Sequence, residues 1–386
     1  MCRRGSLVPA VAVALLVVGA FMAVVLDRLW IDAARVELLT AAEAAALASA
    51  AELASDERLR DPADLAPLAP EARNVAIRVA AENYVGGQPL RLDQEPGSDV
   101  RIGRIIRDDA GRDVFLETDN DPKSVAVFAT RQRSGSNPVA LFLRELTGAS
   151  RPNVSVVAEA SIDNRIVGVT AIPGGAIPAL PLAVLEVDPS GVQLQTWVHQ
   201  VEQRGGGDVF RYDAESALVV AGADGLPELA LTSAPASATP QSAAGSNLRL
   251  LDLGSGLDDQ RLATQVAFGL TYDHLADFDR QLRFDFGSLS IESSGRCEAA
   301  TNASLAAAIG QTRICFLFTA GSTQAGRVSV PRIVAARIMS VRIVDGDRTE
   351  IIVQPAVVST RTALLNDDRT ADVAANPYVY KLQLTQ

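Results

Sequence analysis

Leu7 to Leu26 (LVPAVAVALLVVGAFMAVVL) is a run of twenty residues without a single charge. At about 1.5 Å each, a helix of that length is about 30 Å long, the thickness of a hydrocarbon core. A buried helix of a soluble domain is rarely both so long and wholly uncharged. Pro9 falls in the first turn, where a missing N–H costs least, and Trp30 falls where an aromatic ring meets the interface. A cleaved signal peptide would have a shorter apolar region followed by a small-x-small site, but here Asp27-Arg28-Leu29-Trp30 follows. The run therefore predicts an uncleaved single-pass anchor. With Arg3 and Arg4 on its N-terminal side, residues 1–28 read as a cytoplasmic tail plus anchor, and the rest as extracytoplasmic.

Past the anchor, Leu29 to Ala54 has neither Gly nor Pro and is rich in Ala, Leu and Glu, so the helix is expected to continue into solvent. Its small-residue faces permit close approach by a partner helix or by the following segment. Asp61-Pro62, Pro67 and Pro70 then punctuate the chain. A second helix is predicted over Glu71 to Tyr84, ended by Gly86-Gly87, which makes 29–85 a helical stalk.

From Asp99 the apolar period changes to two. Val100–Ile106, Asp113–Thr118 and Ser124–Thr130 read as strands, Asn137 to Glu145 as a helix opened by Asn137-Pro138, and Asn153–Ala160 and Arg165–Thr170 as strands again. Gly205-Gly206-Gly207 reads as a hairpin turn between Gln193–Val198 and Val209–Tyr212. Region 99–232 is thus a first α+β, β-rich unit. Residues 233–247 (SAPASATPQSAAGSN) carry no charge and little apolar surface, and predict a linker or long loop.

A second α+β region is expected over 248–386. Its helical pieces fall around Asp258–Val266, His274–Gln281 and Asn302–Ile309. Strands follow at Arg313–Phe318, Ile333–Val344, Glu350–Val353 and Tyr378–Leu382, with Asp345-Gly346 as a hairpin turn. The fold class is α+β: one transmembrane helix continuing into an Ala-rich helix, then β-rich extracytoplasmic domains.

Composition excludes several functions. With 46 acidic against 35 basic residues the formal charge is -11, a field that repels nucleic acid. Three Cys and two His are too few for zinc-finger arrays or iron–sulfur centres. No His-Glu-x-x-His, Walker lysine or Gly-x-Ser-x-Gly motif occurs. The densest polar cluster, Asp273-His274-Leu-Ala-Asp277-Phe-Asp279, reads as a solvated acidic face, because at helical spacing His274 points about 100° away from Asp273 and Asp277. His199, two after Trp197, reads as a strand residue. Leu253-Gly254-Ser-Gly256-Leu-Asp258-Asp259 has the composition of a phosphate loop but lacks its third Gly or Lys, and carboxylates follow where an anion would bind. No catalytic residue, metal ligand or cofactor site is therefore assigned.

The cysteines leave two readings open. Cys297 and Cys315 share the outer compartment, where a disulfide closing their separation of 18 residues would stabilise the fold by roughly 3 kcal/mol. Alternatively Cys315, inside Ile-Cys-Phe-Leu-Phe, is a small buried hydrophobe. Cys2 precedes the apolar run and so is no lipoprotein cysteine.

Arg3-Arg4-Gly5, the single apolar run and Leu39-Thr-Ala-Ala-Glu-Ala-Ala-Ala-Leu-Ala48 together resemble the TadG-like proteins of tight-adherence (Flp) pilus assembly, with Thr40 and Glu43 where Asn and Asp are usual. The later order of VRIGRI, VAVFATR, Asn-Pro-Val-Ala-Leu-Phe and VSVVAEA agrees. The C-terminal half is similar to long planctomycete-type members over Ala176–Leu185, Ile309–Ile314 and Thr349–Ala356. The resemblance implies a non-catalytic bitopic protein of the bacterial inner membrane whose partners are pilus or secretion-machinery subunits. Two departures count. The Asp-x-Ser-x-Ser metal site of some relatives is missing, and the fifth residue after Gly5 is Ala10 where prepilin processing needs Glu. Other classes to weigh are a membrane-tethered enzyme, which a deep polar cleft would favour, and a pseudopilin-like fibre subunit, which processing at Gly5 would favour.

Overall fold

The computed structural model describes residues 8–93, 95, 98–108, 110–131, 153–235, 246–319, 326–344, 348–366 and 375–385. The expected Asn137–Glu145 helix and the Asp345-Gly346 turn lie outside them. The described chain is α+β and forms two compact units, one of residues 1–53, 66–161 and 383–386, the other of 54–65 and 162–382.

In the first unit, α1 (Val8–Glu52) is one unbroken helix of 45 residues, about 68 Å long. Its N-terminal part is long and apolar enough to cross a membrane and is almost uncovered by the rest of the chain. From Ala34 onward the spacing of small residues takes over. Ala34, Leu38, Ala41, Ala42, Ala45, Ala46, Ser49 and Ala50 recur at three- and four-residue intervals and are all buried. They meet α2 (Leu68–Glu82), which offers Ala69, Ala72, Ala76 and Ala80 in return. The Ser49 hydroxyl donates to the Ala72 carbonyl at 2.7 Å, a distance that methyl-sized neighbours permit. Of the two packing options left open by the sequence, the stripe thus covers the following segment. α2 starts three residues before the expected Glu71, and the stalk is not free-standing, because α1 also packs on the sheet of this unit.

Four strands of that sheet pair antiparallel. They are β1 (Val100–Arg107), β2 (Asp113–Glu117), β3 (Ser124–Arg131) and β4 (Val154–Asp163), in the order β4-β3-β1-β2. Alternation in the sequence located these strands to within a few residues. Arg131 at the end of β3 is buried and donates to the carbonyls of Val85, Gln88 and Pro89, tying the chain after α2 to the sheet.

The second unit holds β5 (Ile166–Thr170), β6 (Ala179–Leu185), β7 (Phe210–Asp213), β8 (Leu218–Ala221), β9 (Leu229–Thr232), β10 (Leu248–Leu251), α3 (Asp259–Phe268), β11 (Gln281–Arg283), β12 (Leu289–Ser294), α4 (Ala299–Ala307), β13 (Thr312–Thr319), β14 (Arg327–Val344), β15 (Arg348–Pro355) and β16 (Ala363–Leu365). Its main sheet runs β9-β15-β14-β12-β10-β6-β13, and β13 also pairs with β14. β14, β12, β10, β6 and β13 therefore close into a ring, with β13 and β6 parallel and the other pairs antiparallel. β14 makes this possible by its length of 18 residues, since it reaches past the ring to carry β15. β7 and β8 form a separate hairpin, and β11, β5 and β16 a small sheet. The core is built from large side chains such as Trp197, Phe316, Ile314, Leu180 and Leu182.

Several expectations are corrected here. Of the expected linker or long loop over 233–247, residues 236–245 lie outside the described residues, and Ser233, Ala234, Ser246 and Asn247 at its two ends are buried within the second unit. Asn247 is the reason, because its amide accepts from Thr232 N and donates to the carbonyls of Gln195 and Ala230. Gln193–Val198 is no strand. It leads into a π-helical turn, Val198–Glu202, and the Gly triplet closes that turn, with Gly205 N and Gly206 N donating to the carbonyls of His199 and Gln200. A side chain at Gly206 would collide with the Glu228 carbonyl. His274–Gln281 is a chain of turns around a short 3-10 segment, Ala276–Phe278, leading into β11.

Candidate functional site

The residues that sequence reading singled out do not converge. His274 Nδ1 accepts from Thr271 N at 3.1 Å, and burial lowers its pKa against the opposing pull of Asp273. Asp273, Asp277 and Asp279 remain exposed on the turns around it. No group of three or more potential metal ligands forms among the described residues. His199 lies in the π-helical turn, not a strand, with Gln200 Nε2 at 3.2 Å from its Nδ1.

The Gly254–Gly256 loop is closed on a carboxylate of its own chain. Asp252 Oδ1 accepts from Ser255 N at 2.9 Å and Gly256 N at 2.8 Å, so the loop's own carboxylate occupies the donors an anion would need. Gly254 has φ +81 and sits against the His274 carbonyl, so glycine serves close packing at that position. The two carboxylates after the loop have separate tasks. Asp258 is the N-cap of α3, accepting from Arg261 N at 3.0 Å. Asp259 reaches across to the start of α4, accepting from Ala300 N and Thr301 N at 2.9 Å and from the Thr301 hydroxyl at 2.7 Å. Burial raises the Asp259 pKa, but these hydrogen bonds outweigh it and leave the carboxyl below its ordinary value.

Cys297 and Cys315 are both free thiols; the bridge that the sequence allowed is not formed in the structure. Each sulfur is accommodated by its own packing against the core. Cys315 lies in mid-strand opposite Val334, and Cys297 lies just before α4. Burial pushes both thiols up to about 12, with the Asp259 charge adding to the rise at Cys297.

Polar side chains missed by the sequence reading organise the second unit. Asp56 accepts from Val357 N at 2.6 Å and pairs with Arg337 at 2.9 Å, whose guanidinium stacks over Tyr212 at 3.9 Å. Arg332 of β14 pairs with Glu186 at 2.6 Å and Glu202 at 2.9 Å. Next to this pair Trp197 and Tyr378 meet edge to face at 5.3 Å, and burial pushes the phenol up to about 12. Asp208, Asp224 and Glu228 gather beside β7. Burial raises the pKa of Asp224 and Glu228, and mutual repulsion adds to it. Every one of these carboxylates accepts from backbone amides: Asp208 from Asp224 N and Gly225 N, Asp224 from Leu226 N, Glu228 from Val209 N and Phe210 N. Their chemistry is that of fastening loops. A signal for Asp259 was present in the sequence as an Asp-Asp pair ahead of a helix, but the second helix it caps is forty residues on and invisible to local patterning.

No family model matches this chain, no curated protein matches it, and no solved structure matches it.

Proposed function

We propose that the chain is a membrane-anchored, non-catalytic component of a tight-adherence (Flp) pilus assembly or a related envelope apparatus. It is held in the bacterial inner membrane by one pass, with the N-terminus inside and the body extracytoplasmic. The observation that carries the proposal is the unbroken α1. An apolar surface that the chain leaves uncovered runs without a joint into a small-residue stripe packed within the body. Lipid satisfies the first part, and the second makes the link to the body stiff rather than a tether. A stiff link suits a part that holds its partners at a fixed height above the bilayer. The resemblance to TadG-like proteins names the apparatus, and the orientation follows from Arg3 and Arg4 beside the apolar run. The acidic balance of -11 favours protein partners over nucleic acid.

The test is in-membrane crosslinking followed by detergent extraction and identification of the neighbours. Pilin or secretion-machinery subunits should be enriched relative to a chain carrying only residues 1–52. Recovery of nothing beyond that control would overturn the proposal.

A further inference from the structure

Arg249 lies in β10, one of the five strands of the closed ring. Its orientation follows from register, because cross-strand partners share a face. Arg249 is opposite Ala183 of β6, which is opposite Phe316 of β13, which is opposite Ile333 of β14. Toward β12, Leu251 is opposite Ser293, so Ile291, opposite Val328, shares that face too. All these residues are buried, whereas Ser290, Glu292 and Arg327, on the other face of the same strands, are exposed. Arg249 therefore points into the ring, and only 3% of it is exposed.

A guanidinium in such a place needs a counter-charge or a full set of acceptors. Arg249 has neither: its side chain makes no hydrogen bond or ion pair among the described residues, and Nε is sealed from solvent without a partner. Burial lowers its pKa, with no carboxylate acting against it. The adjoining segment 233–247 carries no charge and so offers no carboxylate. Arg332 and Arg337 of the same unit, by contrast, each have an acidic partner. The neighbours of Arg249 on its own face are small or polar on two sides. Its cross-strand partner on β6 is the small Ala183, and the facing strand β12 ends one residue short of Gly295. Ser293, two positions along on the same face, adds a hydroxyl donor.

We propose that Arg249 is the core of an oxyanion-binding site inside the ring, taking a compact carboxylate or phosphate group in its planar fork with Ser293 as an auxiliary donor. The fork matches either group bidentately. The site is independent of the role in pilus assembly and stands or falls separately from it.

The test is thermal unfolding of the full chain in detergent, in chloride, phosphate and acetate at equal ionic strength. Because a ligand that binds only the folded state raises stability with its concentration, phosphate, acetate or both should give a saturable rise of about 4 °C over chloride. Which of the two acts tells phosphate from carboxylate recognition. Arg249→Met should abolish the anion-specific rise while being at least as stable in chloride, since it removes an unpaired buried charge. Arg249→Lys, a point charge without the fork, should retain a reduced rise and serves if the Met variant fails to fold. Equal rises in wild type and Arg249→Met, or, by equilibrium dialysis, no bound phosphate together with no acetate-dependent shift, would overturn the proposal.

Discussion

The α1–α2 seam of the first unit and the ring of the second bury their contacts by opposite means. In the first, α1 and α2 meet through alanines: Ala41, Ala42, Ala45, Ala46 and Ala50 against Ala69, Ala72, Ala76 and Ala80. In the second, Trp197, Phe316, Ile314 and many Leu and Val fill the space in and around a closed ring. Methyl-sized contacts bring two backbones close but remove little apolar area per residue from water. Large side chains remove much area and tolerate no loss. A small-residue seam is thus vulnerable to added volume, and a large-residue core to deleted volume. The same rule explains why one helix can serve two solvents. Before Leu29, α1 carries large exposed side chains such as Leu15, Leu16 and Phe21, which suit lipid, and after Ala34 it carries small buried ones, which suit a helix partner.

The largest effect should come from removing volume in the ring. Phe316→Ala, at a fully buried position, should destabilise the second unit by about 3–5 kcal/mol, read by urea denaturation of a fragment without the apolar segment. The alanine positions of the α1–α2 seam should be far less sensitive to the same kind of change and more sensitive to its reverse. Ala45→Leu, also fully buried, should cost about 1–3 kcal/mol through overpacking, seen as a lowered midpoint with unchanged membrane association. If Ala45→Leu is neutral, the seam is looser than its geometry states, and the contrast between the units fails.

How much of this was legible beforehand depends on how local the cause is. Strands β1, β2 and β3 follow from alternation within a few residues, and α1 from its length and composition, so both were readable. Ring closure joins residues 179–185 to 312–319 in parallel, and no local pattern announces such a pairing. The π-helical turn at Val198–Glu202 was misread because Gln193-Leu-Gln-Thr-Trp-Val198 alternates like a strand. Its alternation arises from the buried Trp197 and from side chains facing out of a loop. In Leu248-Arg-Leu-Leu251 alternation misleads in another way: a polar residue between leucines normally faces water, and here it faces the inside of the ring. Asp258 was readable as a helix cap because its partner is three residues away, but Asp259 was not, its partners being more than forty residues on.

Asp259 sharpens the comparison because the second unit depends on a polar clamp that the alanine seam lacks. Asp259→Ala strips the acceptor from the start of α4 and should cost about 1–2 kcal/mol. Its folded pKa lies below the ordinary value. The stabilisation it gives is therefore complete above the unfolded carboxyl pKa, about 3.9, and is lost as pH falls through the lower folded value. Asp259→Asn should remove that part of the acid sensitivity, checked by denaturation midpoints from pH 6 down to the acid limit of folding.

The smallest effect concerns reactivity without any change in fold. With both thiols raised to about 12, Cys315 should resist alkylation at pH 8 until the second unit unfolds, and Cys297 should react far more slowly than an ordinary exposed cysteine. Peptide mapping after timed labelling reads each site separately. Rapid labelling of Cys315 in the native state would show that the core around β13 opens locally.

The anchor is the claim on which the account of this molecule turns, and protease added to intact spheroplasts tests it most directly. The account predicts that the full chain sediments with membranes and resists carbonate extraction, and that external protease digests the chain beyond Arg28 while sparing the segment up to Leu26. Release of the chain by carbonate, or full protection of the body from external protease, would contradict it.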